Sequence, residues 1–242
     1  GDGQSLALRL QASQFFQTYS FSFSEPWLGG KKPFQLSSSL SYSRQFLYNS
    51  TTRRADKSRR FNILGLTLGI STRLSEPDDY FLLSQAISYQ KYDLNNYNTG
   101  LFTFGDGTSN NLSYTIGLSR NNLYTDPIFP TGGSSFTASA KFSFPYSLVN
   151  GVDYKALKDE RDALDPSDED DYARIGEIDQ ERFKWLEFYK IKFRADWYTA
   201  LTKKLVLRPS VEFGFLGAYN NDRGVIPFER FFVGGDGLGN FA

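Results

Sequence analysis

The chain has no histidine, no cysteine and no methionine among its 242 residues. The missing histidine removes His-dependent nucleophile triads, the common zinc ligand and the usual near-neutral general base. Without cysteine, neither a disulfide framework nor a thiolate metal site can form within this span. No run reaches the roughly 18 consecutive apolar residues that a transmembrane helix requires, so a helical membrane protein is excluded. Charge of one sign is lacking too. Lys+Arg and Asp+Glu are both 27, which gives no global field to attract nucleic acid. Gly1 opens directly onto strand-like sequence with neither a start methionine nor a signal peptide, which suggests a trimmed or partly represented chain.

What is present is alternation. Mean hydropathy is −0.44 although aromatic residues make up 17% of the chain, so apolar side chains are spread over alternate positions instead of continuous runs. Leu64, Leu66, Leu68 and Ile70 share one face of a strand, and Ile63, Gly65, Thr67 and Gly69 share the other, because successive side chains point to opposite sides. The same pattern predicts nine strands: 4–12, 16–26, 35–42, 61–73, 80–92, 112–118, 136–144, 183–201 and 205–215. Short links at 13–15, 27–33, 75–79, 127–133 and 202–204 contrast with longer polar links at 48–60, 93–109 and 145–182. The last of these is strongly acidic and is expected to be a solvated loop. The 183–201 strand exceeds the ~9–11 residues that cross a bilayer, so its loop-proximal end should project. Pro209 cannot donate a ladder hydrogen bond and predicts a bulge.

Periodicity alone fits a soluble sandwich as well as a membrane barrel. Three features favour an all-β, antiparallel transmembrane β-barrel: the outward sets are rich in Phe, Tyr and Trp, strand lengths match a membrane, and short links alternate with long ones. Residues 1–242 then form part of one outer-membrane barrel domain. Nine strands is an odd number, whereas single-chain bacterial barrels have even counts and lipid tolerates no unpaired edge. Further strands outside the segment, or a second chain, are therefore expected.

Three segments add a family resemblance: Ser24-Glu25-Pro26-Trp27-Leu28, Phe129-Pro130-Thr131-Gly132-Gly133-Ser134 and Pro227-Phe228-Glu229-Arg230-Phe231-Phe232-Val233-Gly234-Gly235. In this order and spacing they resemble the barrel of the BamA family, outer-membrane protein assembly factors of the POTRA-transporter superfamily in Gram-negative bacteria. The resemblance implies strands three to eleven of a sixteen-stranded barrel, integral to the bacterial outer membrane. It makes 145–182 the fifth extracellular loop and 218–242 the start of the sixth, with the short links at 27–33, 75–79, 127–133 and 202–204 periplasmic. The first and last strands, the periplasmic domains and the later part of the sixth loop would lie outside the chain. The implied function is a non-enzymatic insertase without cofactors, whose partners are outer-membrane lipid, unfolded outer-membrane protein clients and the accessory lipoproteins of an assembly (BAM) complex, with no nucleic acid. A secretion pore of the same superfamily or a diffusion porin is the alternative, and a carboxylate-based hydrolase is a third.

The resemblance marks Glu229, Arg230, Phe231, Phe232, Gly234 and Gly235 as the start of a loop that folds inward and braces the lumen; a plain glycine-rich turn is the simpler alternative. Lys190, Lys192, Arg194, Arg208 and Glu212 fall on the lumen face, either as a paired network that holds an inner loop or as a hydrated pore lining. Trp27, Trp185 and Trp197 are expected in the aromatic girdles at the membrane interfaces. The acidic run 165–171 lacks the glycine and glutamate spacing of a calcium loop, so no metal site is expected.

Overall fold

A computed structural model describes residues 3–28, 34–123 and 130–231. Its strands are β1 Ser5–Ala12, β2 Phe16–Glu25, β3 Phe34–Asn49, β4 Arg54–Arg73, β5 Phe81–Asn95, β6 Gly107–Asn121, β7 Gly132–Ser143, β8 Tyr189–Thr202, β9 Leu205–Leu207 and β10 Ser210–Gly217. They form one antiparallel meander in the order β1 to β8 followed by β10, with β9 also paired to β8. From β1 to β8 each strand meets its sequence neighbour, and β9 and β10 lie in line along β8, as barrel walls with hairpin connections require.

Register carries the alternation across the wall. Leu8 faces Phe21, Phe21 faces Leu40, Leu40 faces Leu66, and Leu66 faces Tyr89 in one cross-strand row. Exposed Leu, Ile and Phe side chains fill the adjoining rows. So large an apolar surface, unpartnered in water, is what a lipid-facing wall presents. The opposite face carries small residues toward the short-turn end: Ser41 faces Gly65, Ser37 faces Gly69, and Ser84 faces Gly117. The buried core of the described residues lies on that inner face at the long-link end. It comprises Phe61, Tyr92, Leu94, Tyr97, Phe102, Phe104, Phe183, Leu186, Phe188 and Ile226.

Four expectations need correction. The 48–60 link is mostly strand, and the 93–109 link keeps a loop only at 96–106, its two ends belonging to β5 and β6. β3 and β4 pair up to Asn49 and Arg54, with a break in register from Phe46↔Arg60 to Leu47↔Asp56, and β5 and β6 pair up to Leu94 and Gly107. Polar sequence does not stop pairing there, because the ladder's hydrogen bonds are made by backbone groups whatever the side chains are. The acidic link is helical rather than a loop. α1, Tyr154–Ala163, and α2, Glu169–Arg182, begin where the Asp153 and Asp168 carboxylates accept backbone N–H groups of the first turn, a standard N-cap. The acids of the 165–171 run thus lie at a helix start, where the macrodipole favours them.

The ladder of β8 starts at Tyr189 instead of residue 183. Residues 184–186 instead reach β6, where Asn110 N–H donates to Lys184 O at 2.8 Å and Leu186 N–H donates to Asn110 O at 2.7 Å. Pro209 interrupts the last predicted strand without shifting it. Leu207 faces Thr199 and Ser210 faces Asp196, so the register is the same on both sides. The irregularity lies beside the turn, between Ala200 and Thr202.

Candidate functional site

The region of most chemical interest is the link that leaves β10 and turns back onto the inner wall. The Asn220 side chain accepts from the N–H groups of Asp222 and Arg223 at 2.9 and 3.3 Å, and Gly224 follows at φ +73°, a backbone region open to glycine. These features reverse the chain. Ile226 is then buried, and a 3₁₀ turn, Pro227–Glu229, lies against the core. Phe228 N–H donates to Leu101 O at 2.9 Å. Its ring lies 5.4 Å from Tyr92, 5.7 Å from Phe102 and 6.3 Å from Phe61, within the range of favourable aromatic pairing.

Glu229 is 6% exposed. Its carboxylate lies 3.6 Å from Lys141 Nζ and 3.6 Å from Lys190 Nζ, and Lys190 also donates to its carbonyl at 2.9 Å. Phe231 lies beneath Lys190 and Lys192, at 4.7 and 5.9 Å from the ring centre. A Cβ on Gly214 would stand 2.8 Å from that ring, so this glycine lets the aromatic approach the wall.

The acidic link holds the same segment from the other side. Arg223, 1% exposed, donates from Nη1 to Glu187 at 2.9 Å and from Nε to Arg182 O at 2.9 Å, and its guanidinium lies over the Tyr154 ring at 4.9 Å. Burial pushes the Arg223 guanidinium below its ordinary value, with Tyr154 and Glu187 opposing. Glu187 also accepts from Ser147 N–H and Oγ, both at 2.7 Å. Arg182 Nη2 donates to the carbonyls of Asp222 and Arg223, and Asp179 accepts from both Arg161 and Arg182. Helices α1 and α2 and the inward link are thereby joined through buried charges.

The residues singled out in the sequence divide into groups. Glu229, Phe231, Lys190 and Lys192 converge, whereas Arg230 is exposed. Phe232, Gly234 and Gly235 lie outside the described residues. Arg194 and Arg208 belong to a separate cluster near the short-turn end, at 3.4 and 2.8 Å from Asp196. Glu212 faces Arg194 across the ladder without an ion pair among the described residues. Trp27 and Trp197 are exposed toward the short-turn end, while Trp185 packs at a tilt against Tyr146, ring centres 4.6 Å apart, in the long link.

Lys141, Arg223, Glu187, Arg182 and Asp179 were missed. Strand parity could have found Lys141, the inward neighbour of outward Ala140 and Phe142. Among the described residues no group of three or more acids is arranged to hold a metal ion. The geometry offers buried ion pairing and aromatic packing.

A meander with an apolar outer face, a small-residue inner face and an inward-turned link defines an outer-membrane β-barrel protein. The Omp85 superfamily domain matches residues 1–239, and the chain belongs to that superfamily. It is similar to BamA from Haemophilus ducreyi, in a structure lacking POTRA domains 1–3, with a TM-score of 0.59 and 15% identity. That likeness covers 97% of this chain and 39% of the other, so the chain spans about two fifths of the length of that structure. No curated protein matches the sequence.

Proposed function

We propose that this chain is wall and inner bracing of an outer-membrane insertase, a protein that helps unfolded β-barrel clients fold into the membrane. The observation that carries this reading is the inward link. Ile226, Phe228 and Glu229 occupy the inner face through an aromatic core and two lysines, in place of the free hydrated lining of a diffusion pore. An insertase needs a wall that keeps its shape while its seam admits client strands, and a braced lumen supplies that stiffness. Client strands would be templated by main-chain pairing at a sheet edge. The energy would come from client folding, so neither nucleotide nor catalytic side chain is required. Lipid, unfolded clients and accessory lipoproteins are the partners of this reading, and Trp27, Trp185 and Trp197 mark its membrane interfaces.

The test is depletion of the whole protein in its native host, followed by quantitation of several unrelated outer-membrane barrels. All should fall together. Loss of uptake or secretion of a single substrate, with other barrels assembled normally, would replace the insertase with a transport barrel of the same superfamily.

A further inference from the structure

A basic cleft lies on the outer, lipid-facing side of the wall at the long-link end. The cross-strand rows fix its height. Tyr42, Leu64 and Lys91 form one row, and Arg44, Asn62 and Asp93 form the next one up. Phe46, Arg60 and Asn95 stand above that. Below are only the rows of the apolar band, beginning with Leu40, Leu66 and Tyr89. The cleft lined by Tyr42, Arg44, Arg60, Asn62, Lys91 and Asp93 has a volume of about 390 Å³. It therefore begins where hydrocarbon gives way to headgroups.

Its charges are prepared but unspent. Arg44 donates from Nε to Asn62 at 3.0 Å and from Nη2 to the Tyr42 hydroxyl at 2.6 Å. Those bonds orient the guanidinium and leave other N–H donors of its fork free. The Nε of Arg60 is buried with no hydrogen-bond partner, and buried polar groups normally have one. Lys91 is exposed. Asp93, the one acid lining the cleft, accepts from Asn62 Nδ2 at 3.0 Å, and no ion pair among the described residues involves Arg44, Arg60 or Lys91. Some cations at the opposite rim are paired, Arg120 with Asp78, and Arg194 and Arg208 with Asp196. A second cleft on the far side of Arg44 adds Arg54 and Lys57.

We propose that Arg44, Arg60 and Lys91 seat the phosphate of an anionic lipid headgroup in the leaflet at the long-link end, which is the extracellular end of a barrel of this kind. Arginine forks match phosphate oxygens bidentately and lysine adds a point charge. Tyr42 and Leu64, beneath the two arginines and in the row of Lys91, lie level with the first acyl carbons. The seat would fix the height of the wall in the bilayer, and it needs only a membrane-inserted barrel, whatever the barrel does to clients.

The test uses the full-length protein in phosphatidylcholine vesicles containing a minor fraction of spin-labelled phosphatidic acid, with the immobilised lipid measured by electron paramagnetic resonance. Basic residues near a membrane surface each contribute about a fivefold preference for anionic lipid, so three give about a hundredfold. The triple variant Arg44→Gln, Arg60→Gln, Lys91→Gln should lose at least tenfold of the phosphatidic acid preference, and Lys203→Gln with Lys204→Gln at the other rim should lose none. Equal preference in the wild type and the triple variant overturns the proposal, as does full displacement of the lipid by inorganic phosphate. If the triple variant does not fold, photoactivatable phosphatidic acid on the wild type decides. Label concentrated on peptides holding Arg44, Arg60 and Lys91 supports the seat, and label spread evenly along the wall refutes it.

Discussion

Replacing Arg223 by Met should release the inward link from the helical link that covers it. The substitution leaves Glu187, 4% exposed, without its cation. Breaking one side of a buried ion pair costs about 3–5 kcal/mol, because a buried charge is left uncompensated. Glu187 keeps two short bonds from Ser147, which places the expected cost near the lower end, at about 3 kcal/mol. At about 1.4 kcal/mol per tenfold, that is on the order of a hundredfold more of the open form. Hydrogen exchange on the full-length protein in bilayer discs reads it directly as faster exchange over 146–188 and 218–230, with the β4–β5 ladder unchanged. Glu187→Gln alone should also loosen the link, and Arg223→Met with Glu187→Gln should cost less than the two single effects added. A double variant equal to the sum, or a single variant exchanging within threefold of wild type, would show that the pair is not what joins the two links.

The membrane side of the wall is tested by Leu66→Arg against Thr67→Arg. The first places a charge on the face where Leu66 is 44% exposed and should cost about 2–4 kcal/mol at the bilayer midplane, seen as a lower unfolding midpoint in urea. The second points inward and should cost far less, and equal costs would reverse the assigned faces. Asp78 is held below its ordinary value chiefly by its hydrogen bond from Arg120. A lowered carboxyl stabilises the fold above its unfolded value near 3.8, and that contribution is lost as pH falls through the folded value. An NMR titration of Asp78 should therefore show a midpoint below 3.8 that Arg120→Gln moves upward, and an unmoved midpoint removes Arg120 as the cause. Asp168→Ala removes the N-cap of α2 and should cost about 1 kcal/mol of local stability, seen as faster exchange in its first turn, with no change expected in α1.

The wall was legible because its cause is local. Leu64 to Ile70 declare a strand and its lipid face within seven residues, since the period is two and each outward position needs an apolar side chain. The strand ends were not, because above the membrane the outward positions turn polar and no longer mark a lipid face while pairing continues, as between Asn49 and Arg54. The helices of the acidic link did leave local marks. Asp153 and Asp168 are N-cap residues, acids crowd the first turn of α2, and Arg161 and Arg182 lie in last turns, the ordinary signals of helix ends. The run of acids hides them, because its charge alone reads as a solvated loop.

The candidate site divides along the same line. Glu229 and Phe231 belong to a motif and could be named, whereas Arg223 is a plain link residue whose partner Glu187 lies 36 positions earlier. Only the fold brings them together. Yet the inner wall did carry a local clue, which was an exception to its own rule. Inward positions in the middle of β4 and β5 are small or polar, with Gly65, Thr67, Gly69, Ala86 and Ser88, but at the long-link end the same parity holds Phe61, Ile63, Tyr92 and Leu94. Left facing water in a lumen, those side chains would forfeit about 1.5–3 kcal/mol each relative to burial. Something apolar must cover them, and Phe102, Ile226 and Phe228 do. In a barrel wall, apolar residues with the parity of the lumen mark where a link folds in, and here they locate the site before any charge is considered.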